Sequence, residues 1–211
     1  MKITVWNEFA HEKSDPAVKA IYPDGIHQVV AGFLREAGYE VRTATLDDPE
    51  CGLTDEVLDD TDVLFWWGHM RHGDVPDAVV SRVYRHVIAG MGMVVLHSGH
   101  ASKIFQKLMG TPSGELKWRE SGDKEILWVI EQGHPITRGI GEKIILEHGR
   151  PTASTSSFPS RTSSCSSAGS RAAKSSAPAA YTSGAAERSS ISVRVTNPSR
   201  PTTIPTSRKC W

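Results

Sequence analysis

Apolar residues recur along the first two thirds of the chain in two rhythms. Short, nearly continuous apolar runs alternate with stretches whose apolar residues fall three and four apart. KITVW (Lys2 to Trp6) predicts a first strand. In GIHQVVAGFLREAG, residues Ile26, Val29, Val30, Phe33 and Leu34 have helical spacing, and Gly38 is a natural stop. YEVRTATL predicts a second strand, and TDEVLDD a short helix capped by Thr54. DVLFWW (Asp62 to Trp67) is apolar on both faces, as central parallel strands are. VPDAVVSRVYRHVIAG reads as a helix with Pro76 near its start and Asp74 as its cap. GMVVLH (Gly92 to His97) is a fourth strand and ASKIFQKLMG a short helix, with EILWVI and KIILE as later strands.

This alternation predicts an α/β fold, a mainly parallel sheet covered by helices on both faces. Sites in such sheets lie beyond the carboxyl ends of the strands. There the chain places WNE after the first strand, WWGHMRH after the third and LHSGH after the fourth. His69, His72, His97 and His100 therefore gather on one rim. Imidazole titrates near neutrality and ligates divalent metals. His69 and His97 follow buried strand ends and are the expected ligands of a divalent metal such as Zn²⁺ or Mn²⁺. No other cofactor is expected. His72 and His100 lie further out and are expected to carry protons. Glu8, closing the first strand, is expected as base or oxygen ligand, with His11 and Glu12 close by. Trp66 and Trp67 read as core and pocket wall, and His27 and His86 as surface positions on helices. LHSGH has the strand-turn-helix context of a nucleophile elbow, yet it departs from G-x-S-x-G and has no cysteine in the turn.

Composition divides the chain. All nine histidines lie at or before His148, and five of the six tryptophans fall in the first part. From Pro151 onward there are eight basic residues and one acidic one, Glu187, among Ser, Thr, Ala and Pro. Such a segment buries too little apolar surface to offset its chain entropy. The division is a domain over 1–150 and a disordered tail over 151–211. Over the whole chain 24 basic residues balance 24 acidic ones, which argues against nucleic-acid or membrane-surface partners. No apolar run approaches the ~20 residues of a bilayer span. The first residues lack a signal peptide's apolar core, and the three cysteines form no framework. The expected location is the cytoplasm.

At its motifs the chain resembles a known family. WNEFAHEK, YPDGIH, DVLFWWGHMRHGDV, VVLHSGH and HPITRGI together are similar to the ThuA-like trehalose-utilisation family, over Met1 to about His148. The resemblance implies the flavodoxin-like, three-layer fold of the class I glutamine-amidotransferase-like superfamily. It also implies a role in carbohydrate metabolism, with keto-sugar derivatives of trehalose and related disaccharides as substrates. Without a cysteine at the elbow, the chain is not expected to be a working glutamine amidotransferase.

The family continues past residue 150 with further strands and a glycine-histidine motif. Here the visible residues permit that continuation in another reading frame. Taken one base early, Ala172 to Ala179 permits GGEVFRSG, Glu187 to Pro201, read with its neighbours, permits KIFYFRPGHESFPTY, and Ser160 to Ser170 permits a run like PDELVFISWF. The tail is therefore expected to be a frame-shifted reading entered near Gly149 or Arg150, so that the C-terminal part of the fold is missing. The expected function is a sugar-metabolising enzyme, metal-assisted, acting on a keto-sugar or related glycoside. The alternative is a non-catalytic module that binds a carbohydrate or other small molecule. The expected partner is a small sugar, with self-association left open.

Overall fold

The structure, a computed structural model of the chain, describes residues 1–110, 116–118, 125–129, 131–147, 152–154, 166–170 and 191–194. Strands β1 (Lys2–Asn7), β2 (Glu40–Thr45), β3 (Val63–Trp67) and β4 (Gly92–Leu96) form a parallel sheet in the order β2-β1-β3-β4. This is the flavodoxin-like order, and it reverses direction between β1 and β3. Trp6 pairs with Trp66, and Trp66 with Val95, so the strand ends that follow lie level.

Helices cover both faces: α1 (His11–Ser14), α2 (Pro16–Ile21), α3 (Ile26–Glu36), α4 (Asp55–Asp59), α5 (Asp77–Ala89) and α6 (Lys103–Met109). Ile3 and Val5 of β1 and Leu96 of β4 pack on Val30, Ala31 and Leu34 of α3. On the other face Trp6, Leu64, Trp66, Met93 and Val95 pack with Val79, Val80, Val83 and Val87 of α5 and Ile104 and Phe105 of α6. The doubly apolar pattern of β3 is thus used by two separate cores, Leu64 and Trp66 on one face and Phe65 and Trp67 on the other.

The helix over α3 is present, and two other local expectations, for the helix histidines and for Asp74, are corrected. Val29 (51 %) and Phe33 (39 %) are exposed, and the buried stripe of α3 is Ile26, His27, Val30, Ala31 and Leu34. That stripe has the same helical spacing, turned about the axis, because His27 finds polar partners beneath the sheet edge. His27 is therefore buried rather than a surface residue, and His86 sits half-buried with its Nε2 3.2 Å from Asp55 Oδ1. Asp74 does not cap α5. It lies in a 3₁₀ turn and pairs with Arg71 Nε at 2.6 Å, while Pro76 takes the cap position.

Downstream, β5 (Leu116–Trp118) pairs antiparallel with β8 (Thr152–Ser154). β6 (Glu125–Val129) pairs antiparallel with β7 (Lys143–Leu146) and with β9 (Ser166–Ser170), as a sheet of their own. β10 (Ile191–Arg194) adds antiparallel to the β4 edge. The segment expected to lack regular structure thus contributes three short strands, β8, β9 and β10. Its other residues lie outside the described ones.

Candidate active site

The rim forms where β1 and β3 diverge in their connections. Glu8 follows β1 and is 1 % exposed, with its backbone N–H donating to Trp67 O at 3.1 Å. Its carboxylate reaches under the loop after β3. Oε1 accepts the Met70 N–H at 2.5 Å, and Oε2 accepts the Arg71 N–H at 3.0 Å. Each oxygen is committed to a backbone donor, so Glu8 fixes the loop that carries His69 and His72.

His69 is aimed by its own hydrogen bonds. Its Nδ1 lies 2.8 Å from Ser98 Oγ, and that hydroxyl donates to Gly68 O at 2.9 Å. A hydroxyl has one hydrogen. Ser98 spends it on the carbonyl, so it accepts from His69, and Nδ1 carries the imidazole proton. The lone pair of the neutral ring is on Nε2. His11, at the start of α1, stacks on His69 with ring centroids 4.9 Å apart, and Trp67 stacks at 6.4 Å. His11 thus joins the rim.

The same bonds decide the elbow question. Ser98 sits in a 3₁₀ turn (His97–Ala101) directly after β4 and is 9 % exposed. With its hydrogen on Gly68 O it is an organiser of His69 rather than a nucleophile.

His72 opens the 3₁₀ turn that follows the loop. Burial pushes its imidazole below the ordinary value, Glu8 pulls it back up, and His100 and His69 push it further down. These mutual effects put Glu8, His69, His72 and His100 in one electrostatic neighbourhood. His97 begins the turn after β4, beside the end of β3, and its side chain lies outside the described residues.

Beneath the rim lies a polar network that the sequence reading missed. Asn7, fully buried, donates from Nδ2 to Glu12 Oε1 at 2.8 Å and to His27 Nδ1 at 3.0 Å. Glu12 Oε1 also accepts the Ile26 N–H at 3.0 Å, which holds the start of α3. Glu12 therefore sits below the rim as a structural acceptor. Gly25 has φ +89°, and any side chain there would run into the rings of His27 and Phe9. The detectable signal was His27 itself, in phase with Val30, Ala31 and Leu34 on α3. Burial lowers the affinity of His27 for a proton, with Glu12 opposing.

Among the described residues no three His, Cys, Asp or Glu side chains come together as a metal site. The donor set on view is His69 with its Nε2 lone pair, His72, and a Glu8 whose oxygens already hold backbone N–H groups. Both Glu8 oxygens are already engaged, and the side chain of His97, the other expected ligand, lies outside the described residues.

A solved structure of a ThuA-like protein from Bacteroides uniformis superposes with a TM-score of 0.53 at 12 % identity, over 74 % of this chain and 61 % of that one. The likeness shows the shared fold, and the chain spans 61 % of that protein's length. No curated protein matches the chain. The family profile for ThuA, trehalose utilisation, matches residues 2–156, which takes in the four parallel strands and every rim histidine. The chain belongs to the ThuA trehalose-utilisation family.

Proposed function

We propose that the protein is a sugar-processing enzyme of trehalose utilisation, acting on a keto-sugar or related glycoside by acid–base chemistry at the histidine rim. The observation that carries this reading is the His69–Ser98–Gly68 chain, which leaves the His69 lone pair on Nε2. A ketone acidifies the C–H bond beside it. His69 Nε2 takes that proton, and the C–H electrons form the enolate. The enolate then expels the glycosidic oxygen from the next carbon, forming C=C and regenerating C=O. The proton held on His69 goes to the departing oxygen, so the step needs no co-reactant. His72, kept neutral by burial, offers an N–H to the oxyanion without becoming a competing acid. Glu8 acts through the loop it anchors, and His100 tunes His72.

The test is incubation of the protein with trehalose carrying one ring ketone, followed by proton NMR. Release of free glucose with an unsaturated keto product is the expected result. Saturable binding of the keto-sugar with neither release nor hydrogen exchange would favour the non-catalytic binding module.

A further inference from the structure

Asn7 is fully buried at the end of β1, and both ends of its carboxamide are in use. Oδ1 accepts the Phe9 N–H at 2.9 Å, and a backbone N–H can only donate, so the orientation of the amide is set. Nδ2 then has two hydrogens to give. One goes to Glu12 Oε1 at 2.8 Å and the other to His27 Nδ1 at 3.0 Å. An amide NH₂ does not accept, so Nδ1 of the buried His27 is the acceptor and the ring proton sits on Nε2. A second proton on this ring has to enter at Nδ1, facing the Asn7 donor. The Asn7–His27 bond therefore exists only while His27 is neutral.

Phe9 carries the effect of that bond to the rim. Its φ of +49° is the left-handed region, which a residue with a side chain adopts at a cost. The N–H that Asn7 holds belongs to this turn. The residue just before it is Glu8, whose oxygens take the Met70 and Arg71 N–H groups. His27 also meets Phe9 edge to face, with ring centroids 5.0 Å apart. The charged groups facing His27 are Glu12 and Lys13 from α1 and Asp48 from the loop after β2. Burial is the largest influence and opposes its protonation, Glu12 and Asp48 favour it, and Lys13 opposes it. Glu12 Oε2, buried and without a hydrogen-bond partner among the described residues, is a further acceptor in the same network.

We propose that Asn7 is a positioning residue of the rim, and that it ties the loop carrying His69 to the neutral state of His27. Protonation of His27 forces Asn7 to give up either that ring or its present orientation. Turning the carboxamide over takes the acceptor from Phe9 and the donor from Glu12. The left-handed turn then relaxes, and Glu8 loses its place under the Met70 and Arg71 backbone. The rim is held in one shape near neutral pH and loosens in acid. The consequence for turnover rests on the acid–base reading above; the coupling itself does not.

The test is NMR of the full chain at a series of pH values from neutral downward. It reads the ¹⁵N spectra of the histidine rings and the exchange of the Met70 and Arg71 amides, corrected for their intrinsic rates. At neutral pH His27 is expected to carry its proton on Nε2 alone. As His27 takes its second proton, protection of both amides should fall by up to about tenfold per pH unit, the slope of one linked proton, before the chain unfolds. In His27→Gln, whose side-chain carbonyl accepts from Asn7 without titrating, protection at both amides should stay level over that range. A wild-type His27 protonated on Nδ1 at neutral pH, protection that stays level while His27 titrates, a His27 that titrates only with global unfolding, or the same fall in His27→Gln would overturn the proposal. The wild-type measurements decide it even where His27→Gln fails to fold. The expected results obtained on a protein inert toward keto-sugars would uphold the coupling and overturn only the enzymatic reading.

Discussion

His69 Nδ1 and Ser98 Oγ, on loops after two adjacent parallel strands, are 2.8 Å apart, and the serine's only hydrogen is directed to Gly68 O. One hydroxyl thus ties the two loops together and sets which imidazole nitrogen is basic. Ser98→Ala leaves Gly68 O and His69 Nδ1 without that partner. It should cost about 1–3 kcal/mol of stability and release His69 into both tautomers. Thermal unfolding and ¹⁵N histidine spectra check this together. An unchanged His69 tautomer in Ser98→Ala would show that another group sets it.

Glu8 gives a second, separable prediction. Its two oxygens accept the Met70 and Arg71 N–H groups. Glu8→Gln replaces one acceptor by an amide that faces a donor, so the loop loses an anchor while the core keeps its shape. Amide exchange at Met70 and Arg71 should accelerate by tenfold or more, since about 1.4 kcal/mol is a factor of ten. Exchange unchanged at both residues would mean that the carboxylate does not hold the loop.

Stability should depend on pH through His27. Burial lowers its proton affinity in the folded state, against an ordinary value near 6.5 for the unfolded chain. Between those two values the unfolded chain binds more protons. The contribution of His27 is therefore whole above about pH 6.5 and is lost as pH falls toward the lowered folded value. His72, shifted in the same direction by burial, acts in the same sense. Urea unfolding at a series of pH values from neutral downward should show falling stability, with a shallower fall in His27→Gln. Equal slopes for the two proteins would remove His27 from the account.

Much of this arrangement was legible in the sequence because it depends on strand ends. Apolar runs marked β1, β3 and β4, and the sheet rule put Glu8, His69 and the start of the LHSGH turn on one edge. What was not legible depends on side-chain partners from distant segments. His27 looked like a surface residue because helical spacing permits two neighbouring stripes on α3. Only Asn7 and Glu12, drawn from another part of the chain, choose the one with the histidine inside. Glu8 had the right place, yet its use by two backbone N–H groups follows from how the loop after β3 folds back. The joining of β10 to β4 was likewise hidden, since ISVR (Ile191–Arg194) lies in a segment whose composition predicts no strand.

The expected metal and the expected reading frame are tested together. Resequencing around codons 149 and 150 should reveal a single-base change that restores the family's continuation. The expected metal would be retained by a frame-restored protein after dialysis through His69 and His97 and lost in His69→Ala and His97→Ala; with Nδ1 protonated toward Ser98, it would take the same Nε2 lone pair that the acid–base reading uses, so the two are rival outcomes. A frame-restored protein free of metal contradicts the metal expectation, and metal held on His69 contradicts the acid–base role of its Nε2.

The central claim is that His69 Nε2 removes a proton beside a sugar ketone. Its most direct test is the rate at which that carbon-bound hydrogen is lost from keto-trehalose, followed by proton NMR in D₂O for wild type and His69→Gln. Wild type is predicted to exchange the hydrogen or eliminate across that bond, with His69→Gln slower by about 10²–10⁴-fold, the usual contribution of a positioned base, while its unfolding curve stays close to that of wild type. Equal rates in the two proteins, or no loss of that hydrogen in either, would contradict the account.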